Sequence, residues 1–255
     1  MKRWWIISIL LLLSAASLAQ EKKKERMRGA KLPEPGPEMP SLVLGANQLA
    51  GHLAEPGWPI IVSAALVPVE GAAAPVVPPG LKLKMSDVDG KDIAIAFERL
   101  PTPAGAEERY VWLAPETATQ GLATGKYTLT LIPEVPGLQI GSTSLTIAAP
   151  NAERALLLSR LKIQRSLLLG KDDEALTEID RRITANAKDT DAWIAKGDIL
   201  MGKDKPAEAF KAYSEAKKLK KEEKGESLQL DERRKAAFMK MLESRGEKAP
   251  EAPAP

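Results

Sequence analysis

The chain has 255 residues, 37 basic against 34 acidic side chains for a formal net charge of +3, 44% hydrophobic residues and no cysteine. That length and apolar content suffice for two modest domains with their own cores, and the near-balance of charge excludes the one-signed field that gathers nucleic acid. The lack of cysteine excludes disulfide staples, thiol catalysis and cysteine-ligated metal.

In chain order, Lys2 and Arg3 precede an apolar run from Trp4 to Leu13, and Ser17-Leu18-Ala19 gives a small-x-small cleavage pattern. Residues 1–19 are expected to be a secretory signal, placing the mature chain in the bacterial periplasm or outside the cell. The apolar run is shorter than the roughly 20 residues that span a bilayer, so membrane attachment is expected only if the signal is retained. From 20 to 40, mixed charges and then Pro33, Pro35, Pro37 and Pro40 describe a disordered tether without apolar periodicity.

Between 41 and 149 the apolar period becomes two. Ile93, Ile95 and Phe97 alternate with alanines, Tyr127, Leu129 and Leu131 with threonines, and Leu145 and Ile147 with Ser144 and Thr146. Further strands are expected at 41–44, 59–67, 81–86 and 109–114, with Asp89-Gly90 closing a two-residue hairpin. Short strands separated by Gly/Pro turns predict an antiparallel sandwich. The Pro-rich stretch 68–80 is expected to be an exposed loop.

At 151 the period changes again. Asn151 is a plausible N-cap for a helix to Leu169, Gly170 ends it, and Asp172 is expected to cap a second helix to about Ala185. Asp189-Thr190-Asp191 opens a third that ends at Gly202, Pro206 starts a fourth, and 227–244 is expected to form a capping helix. Residues 246–255, rich in Pro and Ala, read as a disordered tail.

Two resemblances sharpen this outline. Leu122, Gly125 and Tyr127 fit a Leu-x-x-Gly-x-Tyr pattern similar to bacterial immunoglobulin-like and fibronectin-like sandwiches, which implies that the tyrosine braces the preceding turn. Trp193, Gly197, Leu200, Ala209, Tyr213 and Ala216 resemble one tetratricopeptide repeat, although Lys196 stands where that family usually has leucine. Stepping back about 34 residues, the family period, reaches Ala175 and Ile179 but puts Ser159 and Ile163 where Trp193 and Gly197 stand, so the first copy is degenerate. The implied fold is multidomain β plus α: an antiparallel Ig-like β-sandwich over 41–149, then a TPR-like antiparallel helical array over 151–245.

Chemistry-bearing groups are few. His52 is the only histidine, and no Gly-x-Ser-x-Gly elbow accompanies it. Asp87-Val88-Asp89-Gly90-Lys91-Asp92 has its glycine at the wrong position for a calcium loop, and a hairpin turn explains it better. Glu107-Glu108 and Asp172-Asp173 are adjacent rather than facing carboxylates. The lysines from Lys217 to Lys224 are interleaved with glutamates and suit a solvated helix end.

The expectation is therefore a non-enzymatic exported scaffold, with no cofactor and no metal. Its TPR-like groove would bind a peptide or helix of another envelope or secreted protein, with Asn186, Lys196, Lys203 and Lys211 as polar contacts. Two other readings remain open: self-assembly as a homo-oligomer, and a carbohydrate- or polymer-binding sandwich. The latter requires Trp58 and Trp112 to be exposed and coplanar.

Overall fold

The computed structural model describes residues 39–67, 69, 77, 80–101, 109–132, 138–222 and 228–244. The expected signal, nearly all of the tether, most of the 68–80 stretch, Glu107-Glu108 and the tail lie outside these. The chain is mixed, with strands first and helices after. It divides into two compact units, the break falling between Leu168 and Leu169.

Among the described residues, the first unit holds ten strands in two five-stranded sheets. They are β1 (Ser41–Ala46), β2 (Leu53–Ala54), β3 (Ile60–Val67), β4 (Lys82–Ser86), β5 (Asp92–Ile93), β6 (Glu98–Arg99), β7 (Arg109–Ala114), β8 (Gly125–Ile132), β9 (Gln139–Ile140) and β10 (Ser142–Ile147). One sheet runs β6-β7-β3-β1-β9, the other β2-β10-β8-β4-β5. Alternate residues face inward along the long strands: Leu42 and Leu44, Tyr110 and Trp112, Leu129 and Leu131, Leu145 and Ile147 are all buried. This is the period-two pattern read from the sequence.

The sheets are not purely antiparallel as expected. β1 pairs with β9 in parallel, and β10 pairs with β2 in parallel. The cause is that the first and last strand segments run side by side in one direction, and each changes sheet on the way. The first crosses from β1 to β2 through a turn at Asn47. The last crosses from β9 to β10 at Gly141, where a Cβ would come within 3.2 Å of the Leu42 carbonyl.

Asn47 holds its crossing together. It is 1% exposed with a left-handed φ of 41°, a conformation that asparagine tolerates better than most residues. Its Nδ2 donates to the carbonyls of Leu53 (3.1 Å) and Pro59 (3.2 Å), and its Oδ1 accepts from the Ile61 amide at 2.8 Å. Three backbone groups that the crossing would otherwise bury unpaired are thereby satisfied.

The expected strand 93–97 is broken for a related reason. β5 lies at the edge of one sheet and β6 at the edge of the other, so residues 94–97 form the passage between them. Past Ile93, the half-buried alternation continues at Ile95 and Phe97 without a ladder. The hairpin before it is also longer than two residues. β4 and β5 pair at Ser86 and Asp92, and the Asp87 carboxylate accepts from the Asp89 and Lys91 amides at 3.0 and 2.9 Å. Asp87 is thus spent on its own backbone, as an Asx-type turn. A short helix, α1 (Glu116–Thr119), follows β7.

Asn151 caps as predicted, accepting from the Glu153 amide at 2.9 Å, and a 3-10 turn leads into α2 (Ala155–Leu168). The compact unit that contains the sheets runs through α2, beyond the join expected at Pro150–Asn151. Glu55 clamps the junction: only 6% exposed, it accepts from the Asn151 amide (3.1 Å) and pairs with Arg154 at 3.0 Å. α2 packs on the turn at Gln48–Ala50 and buries Leu161 and Ile163. It therefore belongs to the compact unit that contains the sheets.

The second unit contains α3 (Asp172–Ala185), α4 (Thr190–Gly202), α5 (Pro206–Glu222) and α6 (Leu228–Ser244). Neighbours in sequence pack in turn, α3 on α4, α4 on α5 and α5 on α6. Their ends follow local signals. Gly170 takes φ 69° after α2, Asp189 accepts from the Ala192 amide at 3.0 Å as N-cap, and Pro206 opens α5. Asp172 lies inside the first turn of α3 rather than at its cap, which is Lys171.

Candidate protein-binding surface

The helical unit is built around one tight approach. At Gly197 a Cβ would fall 2.4 Å from Cε1 of Tyr213, so only glycine admits the ring between α4 and α5. Around this contact Leu200, Ala209, Tyr213, Ala216, Leu230 and Ala237 form a buried cluster, with Leu176, Trp193, Ile194, Met201 and Phe210 packed against it. All six residues that carried the repeat resemblance are in this assembly. The alanines keep the seam narrow, and the aromatic rings fill it. On α3, Ala175 and Ile179 are fully buried.

A polar cluster ties three helices together at the seam's edge. The Asp198 carboxylate on α4 accepts from the Tyr213 hydroxyl on α5 at 2.7 Å, and Arg233 on α6 approaches the same oxygen at 3.4 Å. Burial pushes the Asp198 carboxyl above its ordinary range, while Arg233 and the tyrosine hydrogen bond pull it partly back. Burial, and then the Asp198 charge, pushes the Tyr213 phenol upward too, so it remains a neutral donor. A lone histidine or an acidic pattern in sequence would flag a site; nothing local in the sequence marks Asp198, because its partners are fifteen and more residues away.

The four residues singled out in the sequence do not form one group. Lys196 on α4 and Lys203 just past its end both reach α3, where they pair with Asp180 at 2.6 Å and Asp173 at 2.7 Å. The Lys196 ammonium also lies 5.6 Å from the Trp193 ring centroid. Lys196 is thus an interhelical ion-pair donor. Asn186 belongs to the α3–α4 turn, its side chain accepting from the Lys188 amide at 3.1 Å. Lys211 is exposed on α5. Lys217, from the lysine run, pairs with Asp231 of α6.

In the sheet unit, Trp58 is 5% exposed and Trp112 1%, so neither offers a ring face to a sugar. Trp112 Nε1 donates to the Leu81 carbonyl at 3.4 Å. Tyr127 is buried as well, and its hydroxyl donates to the Ala123 carbonyl at 2.8 Å, bracing the turn before β8. His52 is half-buried with a left-handed φ of 62°, and its amide donates to the Asn47 carbonyl at 3.2 Å. It is a turn residue of the β1–β2 crossing. Among the described residues, no three of the His, Asp and Glu side chains come together as a metal site.

Compared with known proteins, the chain matches no protein-family model and no curated protein.

Proposed function

We propose that this is an exported, non-enzymatic protein whose TPR-like helical unit binds a peptide or helix of another envelope or secreted protein, with an Ig-like sandwich as its carrier. The observation that carries this reading is the Gly197–Tyr213 approach. A repeat of this kind cannot bury both helix faces alone, so it packs against further helices and is suited to accept one from elsewhere. The Tyr127–Ala123 bond supports the Ig-like part, since a tyrosine bracing the turn before a late strand recurs in such sandwiches. The parallel pairs at both ends of the sheets are a departure from the all-antiparallel form. Burial of Trp58 and Trp112 removes the aromatic platform on which a carbohydrate reading rested.

The test is affinity capture from envelope extract, comparing the chain from Gln20 onward with a version ending at Leu168. The cut belongs there, because ending at Pro150 would strip α2 from the sheet unit and leave Glu55 buried without Arg154. A protein held by the longer chain and lost from the shorter supports the proposal. A protein held equally by both moves the function to the sheet unit.

A further inference from the structure

The way α6 is held suggests what the α4–α5 pair is shaped to receive. α6 places Leu230 and Ala237 in the buried cluster, its Phe238 ring lies 5.6 Å from that of Phe210, and Leu242 is buried further along the helix. Two cations about two helical turns apart on the same helix flank this apolar row. Arg233 reaches Asp198 at 3.4 Å, and Lys240 reaches Asp204 at 2.5 Å. Both acceptors belong to α4 and the turn that ends it, and Asp204 is held there with a left-handed φ of 62°. The α4–α5 pair thus presents two carboxylates beside a narrow alanine-lined seam at Ala209 and Ala216. α4 and α5 are locked to each other by the ring-on-glycine contact.

We propose that the α4–α5 pair is a receptor face for a basic amphipathic helix, occupied in the resting chain by α6 and taken over by a partner helix of the same pattern. The required ligand chemistry is a helix with a small residue at the centre of its apolar stripe and cations flanking it two turns apart. In the Lys240–Asp204 pair the carboxylate is largely exposed, so this ion pair contributes little to holding α6, whose buried Leu230 and Ala237 a competing helix must replace in kind. This deepens the reading above and rests on it for the existence of a foreign partner.

The test uses a fluorescent peptide of residues 228–244 and the full chain from Gln20. Native chain is compared with Arg233→Glu/Lys240→Glu, which weakens the resident α6 and leaves the receptor face intact. The expected result is peptide affinity at least tenfold higher for the double variant than for the native chain, and lost when the peptide itself carries both charge reversals. Equal binding of the two chains, or of the two peptides, overturns the proposal. Hydrogen exchange of α4 and α5 checks that the receptor persists. If it does not, the single Lys240→Glu variant, whose carboxylate partner is largely exposed, carries the comparison with an expected gain of about threefold. A dimer that forms through exchanged α6 helices and is not displaced by peptide also overturns it. Capture of an envelope partner that ignores the α6 variants removes the exchange and leaves the binding function standing, whereas peptide exchange without any captured partner does the opposite.

Discussion

Gly197→Ala sets two known effects of opposite sign against each other. On an exposed helix the change would stabilise by about 1 kcal/mol, because alanine restricts the unfolded chain and favours the helix. Here the added methyl would lie 2.4, 2.6 and 2.8 Å from three carbons of the Tyr213 ring. The ring has little freedom to retreat: Tyr213 is 2% exposed, and its hydroxyl is fixed to Asp198 at 2.7 Å. Overpacking of this kind costs about 1–3 kcal/mol, and contact this close belongs at the upper end. The net expectation is a loss of about 1–2 kcal/mol, confined to the helical unit. Hydrogen exchange of α4 and α5 amides against urea is the suitable assay, since it reports this unit separately from the sheets. Tyr213→Leu in the same chain should absorb most of the methyl, so the double variant should lose less than the sum of the singles. A Gly197→Ala chain as stable as the parent, or more so, would refute the close approach and the repeat packing built on it.

Asn47→Ala should cost about 3 kcal/mol or more in the sheet unit, since it buries the Ile61 amide and two carbonyls unpaired and puts alanine at φ 41°; urea denaturation followed by tryptophan fluorescence measures it. Tyr127→Phe removes one hydrogen bond to Ala123 and should cost about 1 kcal/mol by the same assay. Asp198, whose carboxyl is raised in the folded chain chiefly by burial, binds its proton more readily folded than unfolded. Its contribution to stability therefore grows as pH falls through the raised value, and Asp198→Asn should flatten that part of a stability–pH profile. Asp173 has the opposite sign: its hydrogen bond to Lys203 lowers its carboxyl below 3.8, so its stabilisation is present above that value and fades as pH falls through the lowered one. Protection of α3 amides, taken relative to the intrinsic exchange rate at each pH, should fall between pH 6 and about pH 3 in the native chain and change less in Asp173→Asn; equal slopes in the two chains would remove the Lys203 latch.

The sequence by itself determined each element whose cause is local. Period two marked the long strands, because side chains alternate along any extended segment. Asn151, Asp189, Gly170 and Pro206 marked helix ends, since capping and positive φ are decided within a few residues. The Gly197–Tyr213 packing was legible too, because a small residue on one helix and an aromatic on the next suit a close antiparallel approach. Only the tertiary structure decided which strands lie parallel, since direction depends on where two distant segments meet and not on either one's pattern. It alone assigned α2 to the sheets, through the buried Glu55 far upstream of Arg154. It also turned Lys196 and Lys203 from free cations into ion-pair donors, and joined Asp198, Tyr213 and Arg233 across three helices. Apolar periodicity tells which face of an element is buried; what a charge meets on that face is fixed only when the elements pack.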